Sequence, residues 1–115
     1  MKLKILPLSM RRKKRYIGFI VLSEEKIELT DLESAITQSL LDMYGSKGFA
    51  ELWYKFLKDT WDGKRGIIRC AHTKTEDVIA GIGAIERIGD SRVNFKILKV
   101  SGTIKKIKAS FDNNQ

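Results

Sequence analysis

Cysteine, histidine and proline each occur once in the 115 residues. With Cys70 alone, no internal disulfide can form, and its apolar neighbours mark a buried thiol suited to a reducing compartment. His72 has no neighbouring His or Cys cluster, which argues against a structural zinc site. No apolar run is long enough for a membrane span or a signal-peptide core. Near the N-terminus Ile5, Leu6 and Leu8 are broken by Pro7 and followed by charge. The expectation is a single cytoplasmic domain, large enough to bury a core without staples, and no membrane partner.

Catalytic patterns are scarce as well. There is neither a phosphate-cradling glycine loop nor a nucleophile elbow. Cys70 and His72 stand two apart, so on a strand they share a face, and a thiol–imidazole pair is conceivable. A core thiol beside a strand-end histidine is the simpler reading. The carboxylates Glu24, Glu25, Glu28, Asp59 and Asp62 adjoin turns and read as solvated or turn-forming groups. The sequence therefore assigns no catalytic residue and no metal ligand.

Acid is missing from both ends of the chain. Residues 1–15 hold seven basic groups, Lys2, Lys4, Arg11, Arg12, Lys13, Lys14 and Arg15, and residues 96–108 hold five, Lys96, Lys99, Lys105, Lys106 and Lys108. Between them residues 16–95 carry a net −3, within a total of +8. A near-neutral body with two cationic ends is the footprint of a phosphate-binding protein.

The central stretch is residues 11–23, where five consecutive basic residues enter a strand-like segment. Both alternating sets of residues 16–23 are largely apolar, which predicts a strand buried on both faces. Thr30 and Glu33 form a capping-box pattern, and Leu32, Ala35, Ile36, Leu40 and Met43 recur at helical spacing, so a helix is expected over 31–44. Gly45 and Gly48 supply the stop. Asp62-Gly63 signals a hairpin, predicting strands over 52–60 and 64–73. Thr75 reads as the N-cap of a second helix that ends near Ile88, with Gly89 behind it. Gly81 and Gly83 each cost that helix about 1 kcal/mol relative to Ala unless close packing offsets it. The last strand spans 93–100, and the basic run after it begins a short helix. This β-α-β-β-α-β order predicts an α+β two-layer sandwich of ferredoxin-like, RNA-recognition-motif-like form. Its four-stranded antiparallel sheet has both helices on one face and the other face open. Domain bounds follow as a basic arm over 1–11, one domain over 12–108, and a frayed tail over 109–115.

Arg65 and Arg69 share one face of the hairpin strand, where guanidinium forks can grip phosphate. Trp53, Tyr54 and Phe56 offer stacking surface to unpaired bases, though such aromatics more often fill a core. The RNP signature is absent, so backbone and shape contacts fit better than sequence-specific reading.

The segments KKRYIGFIVLS, GKRGIIRC, VIAGIGAIERI and VSGTIKKIK, in that order, resemble the archaeal ribonuclease P protein component 2 family. Its eukaryotic counterpart is the Pop-five subunit of ribonuclease P and MRP. The likeness spans about residues 12–108, departing at Gly81 and Gly83, where family members tend to carry alanine and leucine. It implies a noncatalytic subunit of the endonuclease that removes 5′ leaders from precursor tRNA. The RNA subunit performs the chemistry with magnesium, and the protein binds no cofactor of its own. The implied partners are the catalytic RNA and a TIM-barrel protein subunit, as a homodimer or a heterotetramer with that subunit, and precursor tRNA is the holoenzyme's substrate. RNA contact is expected from Arg12, Lys13, Lys14, Arg15, Lys64, Arg65, Arg69, Lys105, Lys106 and Lys108. Ser101, Gly102, Thr103 and Ile104 would shape a protein contact or order the C-terminal segment. Three other readings use the same residues: a general RNA-binding or protein-docking scaffold, a small-molecule regulatory domain, and a stand-alone nuclease built on Asp59, Asp62 or His72.

Overall fold

A computed structural model describes residues 13–113. The predicted arm over 1–11 and the candidate Arg12 lie outside the described residues.

Strand β1, Lys14–Ser23, is central, pairing antiparallel with β3, Arg65–Ala71, on one side and β5, Ser91–Ser101, on the other. Its two faces enter two different cores, which explains the absence of polar alternation. Ile17, Phe19 and Val21 are at most 5% exposed and join a large cluster with Leu32, Ile36, Leu40, Ile68, Cys70, Val78 and Ile82. That cluster joins the sheet to helices α1, Leu29–Leu52, and α2, Thr75–Gly83.

Helix α1 is longer than its sequence pattern predicts. It starts at Leu29, which packs on the core, so Glu28 holds the cap position and the Thr30–Glu33 capping box does not form. Gly45, with φ 75° and ψ 174°, kinks the helix instead of ending it. A residue without Cβ takes that backbone shape without strain, and the helix resumes to Leu52. The strand expected over 52–60 therefore shrinks to β2, Lys55–Leu57, followed by a 3-10 turn over Lys58–Thr60. Thr60 closes that corner: its hydroxyl donates to the Leu57 carbonyl at 2.6 Å and accepts from the Ile67 N–H at 3.0 Å.

Helix α2 begins at Thr75 after a 3-10 turn over His72–Lys74, so Lys74, not Thr75, stands at the cap. It stops at Gly83, not near Ile88. Arg87–Ile88 instead forms a short β4, which turns through Gly89 (φ 62°) into β5 and buries Ile88 in the main core. The sheet therefore has five antiparallel strands in the order β2-β3-β1-β5-β4, where four were expected. The α+β class stands. Gly81 is explained by helix–helix packing: a Cβ there would collide with the Leu40 side chain. Across this close approach Ser39 donates to the Gly81 carbonyl at 2.7 Å, and Tyr44 to that of Asp77 at 2.7 Å.

The face expected to be open is partly covered. Helix α3, Ile104–Asn113, lies across it and buries Ile107 and Phe111 against Ile67, with Tyr16, Leu57, Leu98 and Ile104 around them. Gly18 permits this docking, because a Cβ at that position would strike Ile107 and press on Phe111. The tail assigned to 109–115 thus includes a core residue, Phe111, 7% exposed. Ile104, Ile107 and Phe111 recur at helical spacing, and burying that stripe holds the helix past Lys108.

Candidate nucleic-acid interface

Strand register assembles a polar row on the α3 face. Arg69 stands opposite Tyr16 on one side and Lys55 on the other, and Tyr16 stands opposite Ser101. Directly opposed residues point to the same side of a sheet, so Lys55, Arg69, Tyr16 and Ser101 cross four strands in line. Residues 13–15 enter the sheet at this end. The Lys13 carbonyl accepts from the His72 N–H at 2.9 Å, and the His72 ring Nδ1 lies 3.2 Å from the same oxygen. Arg15 donates to the Lys14 carbonyl and lies against Gly102, whose added Cβ would sit 3.7 Å from the guanidinium.

Ser101 to Ile104 form the turn from β5 into α3. The Ser101 hydroxyl accepts from the Thr103 N–H and the Thr103 hydroxyl from the Lys106 N–H, both at 3.3 Å, while Ile104 joins the second core. Lys105 and Lys106 are thereby held exposed in the first turn of α3, with Lys108 exposed one turn later. Lys13, Lys14, Arg15, Arg69, Lys105 and Lys106 thus lie at one end of the sheet, with Lys14 and Arg69 on the α3 face and Arg15, opposite Cys70 of the main core, rooted on the other side and reaching its guanidinium to Gly102. The Arg69 Nε is buried there without a partner among the described residues.

Lys64 and Arg65 occupy the opposite end of β3, and Arg65 is already engaged. Its Nε donates to Asp62 at 3.0 Å, a second nitrogen donates to the Phe111 carbonyl at 2.9 Å, and the guanidinium lies 5.2 Å from the Phe111 ring centre. It clamps the last turn of α3, where a cation also meets the negative end of the helix dipole. Burial pushes the Asp62 carboxyl up. The backbone N–H groups of Arg65 and Lys64 and the Arg65 side chain outweigh that and hold it below its usual value.

Of the aromatics considered for stacking, Phe56 is 3% exposed and edge-on to Phe19, and Tyr54 packs on Phe49 in the main core. Cys70 is fully buried, burial pushing its thiol up to about 11. His72 has left the strand and is exposed, so the pair does not form a thiol–imidazole couple. Among the described residues no three His, Cys, Asp or Glu side chains come together, and no helix is long and apolar enough to cross a membrane.

Sequence reasoning left Lys55 and Lys99 out of the expected RNA contacts; they stand opposite Arg69 and Gly18. Strand alternation carries that signal once the pairing is known. Charge also separates by face. Helix α1 carries Asp31, Glu33, Asp42 and Glu51 against Lys47, and α2 carries Glu76 and Asp77 with no Lys or Arg, whereas α3 carries Lys105, Lys106 and Lys108 against Asp112.

Residues 15–111 match the Rpp14/Pop5 family. The chain belongs to the Rpp14/Pop5 family. This Rpp14/Pop5 chain is 35% identical to ribonuclease P protein component 2 of Archaeoglobus fulgidus, covering 95% of itself and 97% of that relative. Against the protein of the same name from Pyrococcus furiosus the identity is 36%, covering 94% and 90%. The Methanosarcina mazei protein of that name is 32% identical, over 94% and 90%. In fold the chain is similar to one in the cryo-EM structure of yeast ribonuclease MRP, with a TM-score of 0.63 and 19% identity, covering 90% of this chain and 94% of that one. The Rpp14/Pop5 match ends at Phe111, a buried residue of α3, so most of this helix, Ile104 to Phe111, falls within the match.

Proposed function

We propose that this chain is a noncatalytic protein subunit of ribonuclease P, aiding the catalytic RNA in removing 5′ leaders from precursor tRNA. The observation that carries the reading is the gathering of residues 13–15, Arg69, Lys105 and Lys106 at one end of the sheet of a chain in the Rpp14/Pop5 family. Cations fixed on a sheet and a docked helix lower the repulsion among crowded phosphates, and so reduce the magnesium that the RNA needs to hold its active form. Arg15 and Arg69 supply planar forks for phosphate oxygens, and the lysines supply point charges. Arg65 serves this surface indirectly by clamping α3. The partners in this reading are the catalytic RNA and a TIM-barrel protein subunit, and the site of action is the cytoplasm.

The test is precursor-tRNA cleavage reconstituted from the cognate RNA and its TIM-barrel partner, with and without this chain, across magnesium concentrations. The chain should raise cleavage and move the magnesium requirement downward. Lys105→Ala and Lys106→Ala should each reduce the salt slope of RNA binding by about one. Cleavage indifferent to the chain at every magnesium concentration would overturn the proposal.

A further inference from the structure

Helix α3 leaves part of its own sheet face uncovered. Beside its C-terminal end a cavity of about 650 Å³ opens over an aliphatic floor of Ile20, Leu22 and Leu98. Its rim carries Lys26, Lys64, Arg65 and Lys96. Leu22 is 47% exposed, one of three large hydrophobic side chains so exposed among the described residues. The rim's acid, Asp62, is occupied: Oδ1 accepts from the backbone N–H groups of Lys64 and Arg65, and Oδ2 from the Arg65 Nε. Arg65 is held in turn by the end of α3. Among the described residues Lys26, Lys64 and Lys96 take part in no ion pair.

An aliphatic floor under three uncompensated lysines selects its occupant by complementarity. An unpaired base would find no aromatic ring in the lining to stack on and no free carboxylate to read its edge. A phosphate group alone would leave the floor exposed to water. In a two-fold dimer through this face, the same cationic rim would meet itself. We propose that the cavity docks a segment of a partner protein that carries an aliphatic or aromatic side chain next to aspartate or glutamate. The apolar side chain covers Leu22 and Leu98, and the carboxylates meet Lys26, Lys64 and Lys96. Such an interface combines an apolar anchor with a charged rim that fixes register. It lies at the far end of β3 from Arg69 and the start of α3, so protein and RNA can be held together. The inference does not depend on the RNA being that of ribonuclease P.

The test pans a random peptide library displayed on phage against the full chain, then measures the enriched peptides on Leu22→Asn and Lys96→Glu. Both positions are exposed, so the fold survives either change. Enriched peptides should pair an apolar residue with Asp or Glu and weaken about tenfold, the equivalent of 1.4 kcal/mol, on each variant. Single-stranded RNA should bind Leu22→Asn as it binds the parent chain. Three results would overturn the proposal. The first is peptides that fail to enrich or that ignore both variants; the second is RNA, in place of peptide, losing affinity on Leu22→Asn, which marks a nucleotide site; the third is a parent chain that sediments as a dimer and is split by Leu22→Asn, which marks a second copy.

Discussion

Replacing Arg65 with alanine should loosen helix α3 before it changes any RNA contact. Three interactions end with that side chain. The charged hydrogen bond to the Phe111 carbonyl, 2.9 Å long, is worth about 1.5–3 kcal/mol by general experience with charged donors. The guanidinium over the Phe111 ring, at 5.2 Å, adds about 0.5–1 kcal/mol. The pair with Asp62 is partly exposed, with side-chain exposures of 21% and 41%, and solvent screening limits it to no more than about 1 kcal/mol. The terms share one side chain and do not add, so the expected loss is about 2–3 kcal/mol, which for a chain of this size lowers Tm by about 10 °C. Arg65→Lys keeps the charge but not the planar fork, and should recover less than half of the loss. Thermal unfolding gives the magnitude, and amide exchange locates it: protection should fall first in α3. If Arg65→Ala melts within about 2 °C of the parent and α3 amides exchange unchanged while RNA affinity drops, Arg65 is a phosphate ligand and not a clamp.

Three further outcomes follow from the packing. Asp62 has its carboxyl held down in the folded state, so its contribution to stability is present above the unfolded value of about 3.9 and is lost as pH falls through the folded value. The Tm gap between the parent and Asp62→Asn should therefore close in acid, and a gap constant from neutral pH into acid would contradict this. Gly81→Ala should destabilise by about 1–3 kcal/mol through overpacking against Leu40, whereas Gly83→Ala, with nothing within 4 Å of the added methyl, should be neutral or gain up to about 1 kcal/mol; urea unfolding separates the two. Cys70, buried and with its thiol pushed up to about 11, should resist thiol reagents at neutral pH until the chain unfolds, and rapid labelling of the native protein would refute its burial.

The residues at which sequence reasoning succeeded are those whose neighbours are close in the chain. The doubly apolar pattern of β1 correctly marked a strand with a core on each face, and the alternation in β3 separated Ile67 from Ile68 and Cys70, which lie in different cores. Gly45 shows the limit. A glycine with positive φ ends some helices and kinks others, and the choice rests on whether the following residues find a core; Phe49 and Leu52 do. The aromatic segment after it resembled a strand because the same residue types fill both helix and sheet interiors. A short C-terminal helix was expected, but its docking on the sheet was obscured by charge: Lys105, Lys106 and Lys108 drew the reading toward RNA, while Ile104, Ile107 and Phe111 on its other side carried the packing information. In the candidate site, alternation placed Arg65 and Arg69 on one face. It could not reveal that one is clamped to α3 and the other stands in a cationic row, because that difference depends on a helix some 40 residues downstream.

The opposite signs on the two sides of the sheet bear on the approach to RNA as well as on binding. A chain arriving with α1 and α2 foremost meets the phosphates with a net negative surface and is turned away, whereas one arriving with α3 foremost is drawn in. Orientation is selected in solution, before any hydrogen bond forms. More encounters are therefore productive, and the rate of association, more than the lifetime of the complex, should be the quantity most sensitive to added salt.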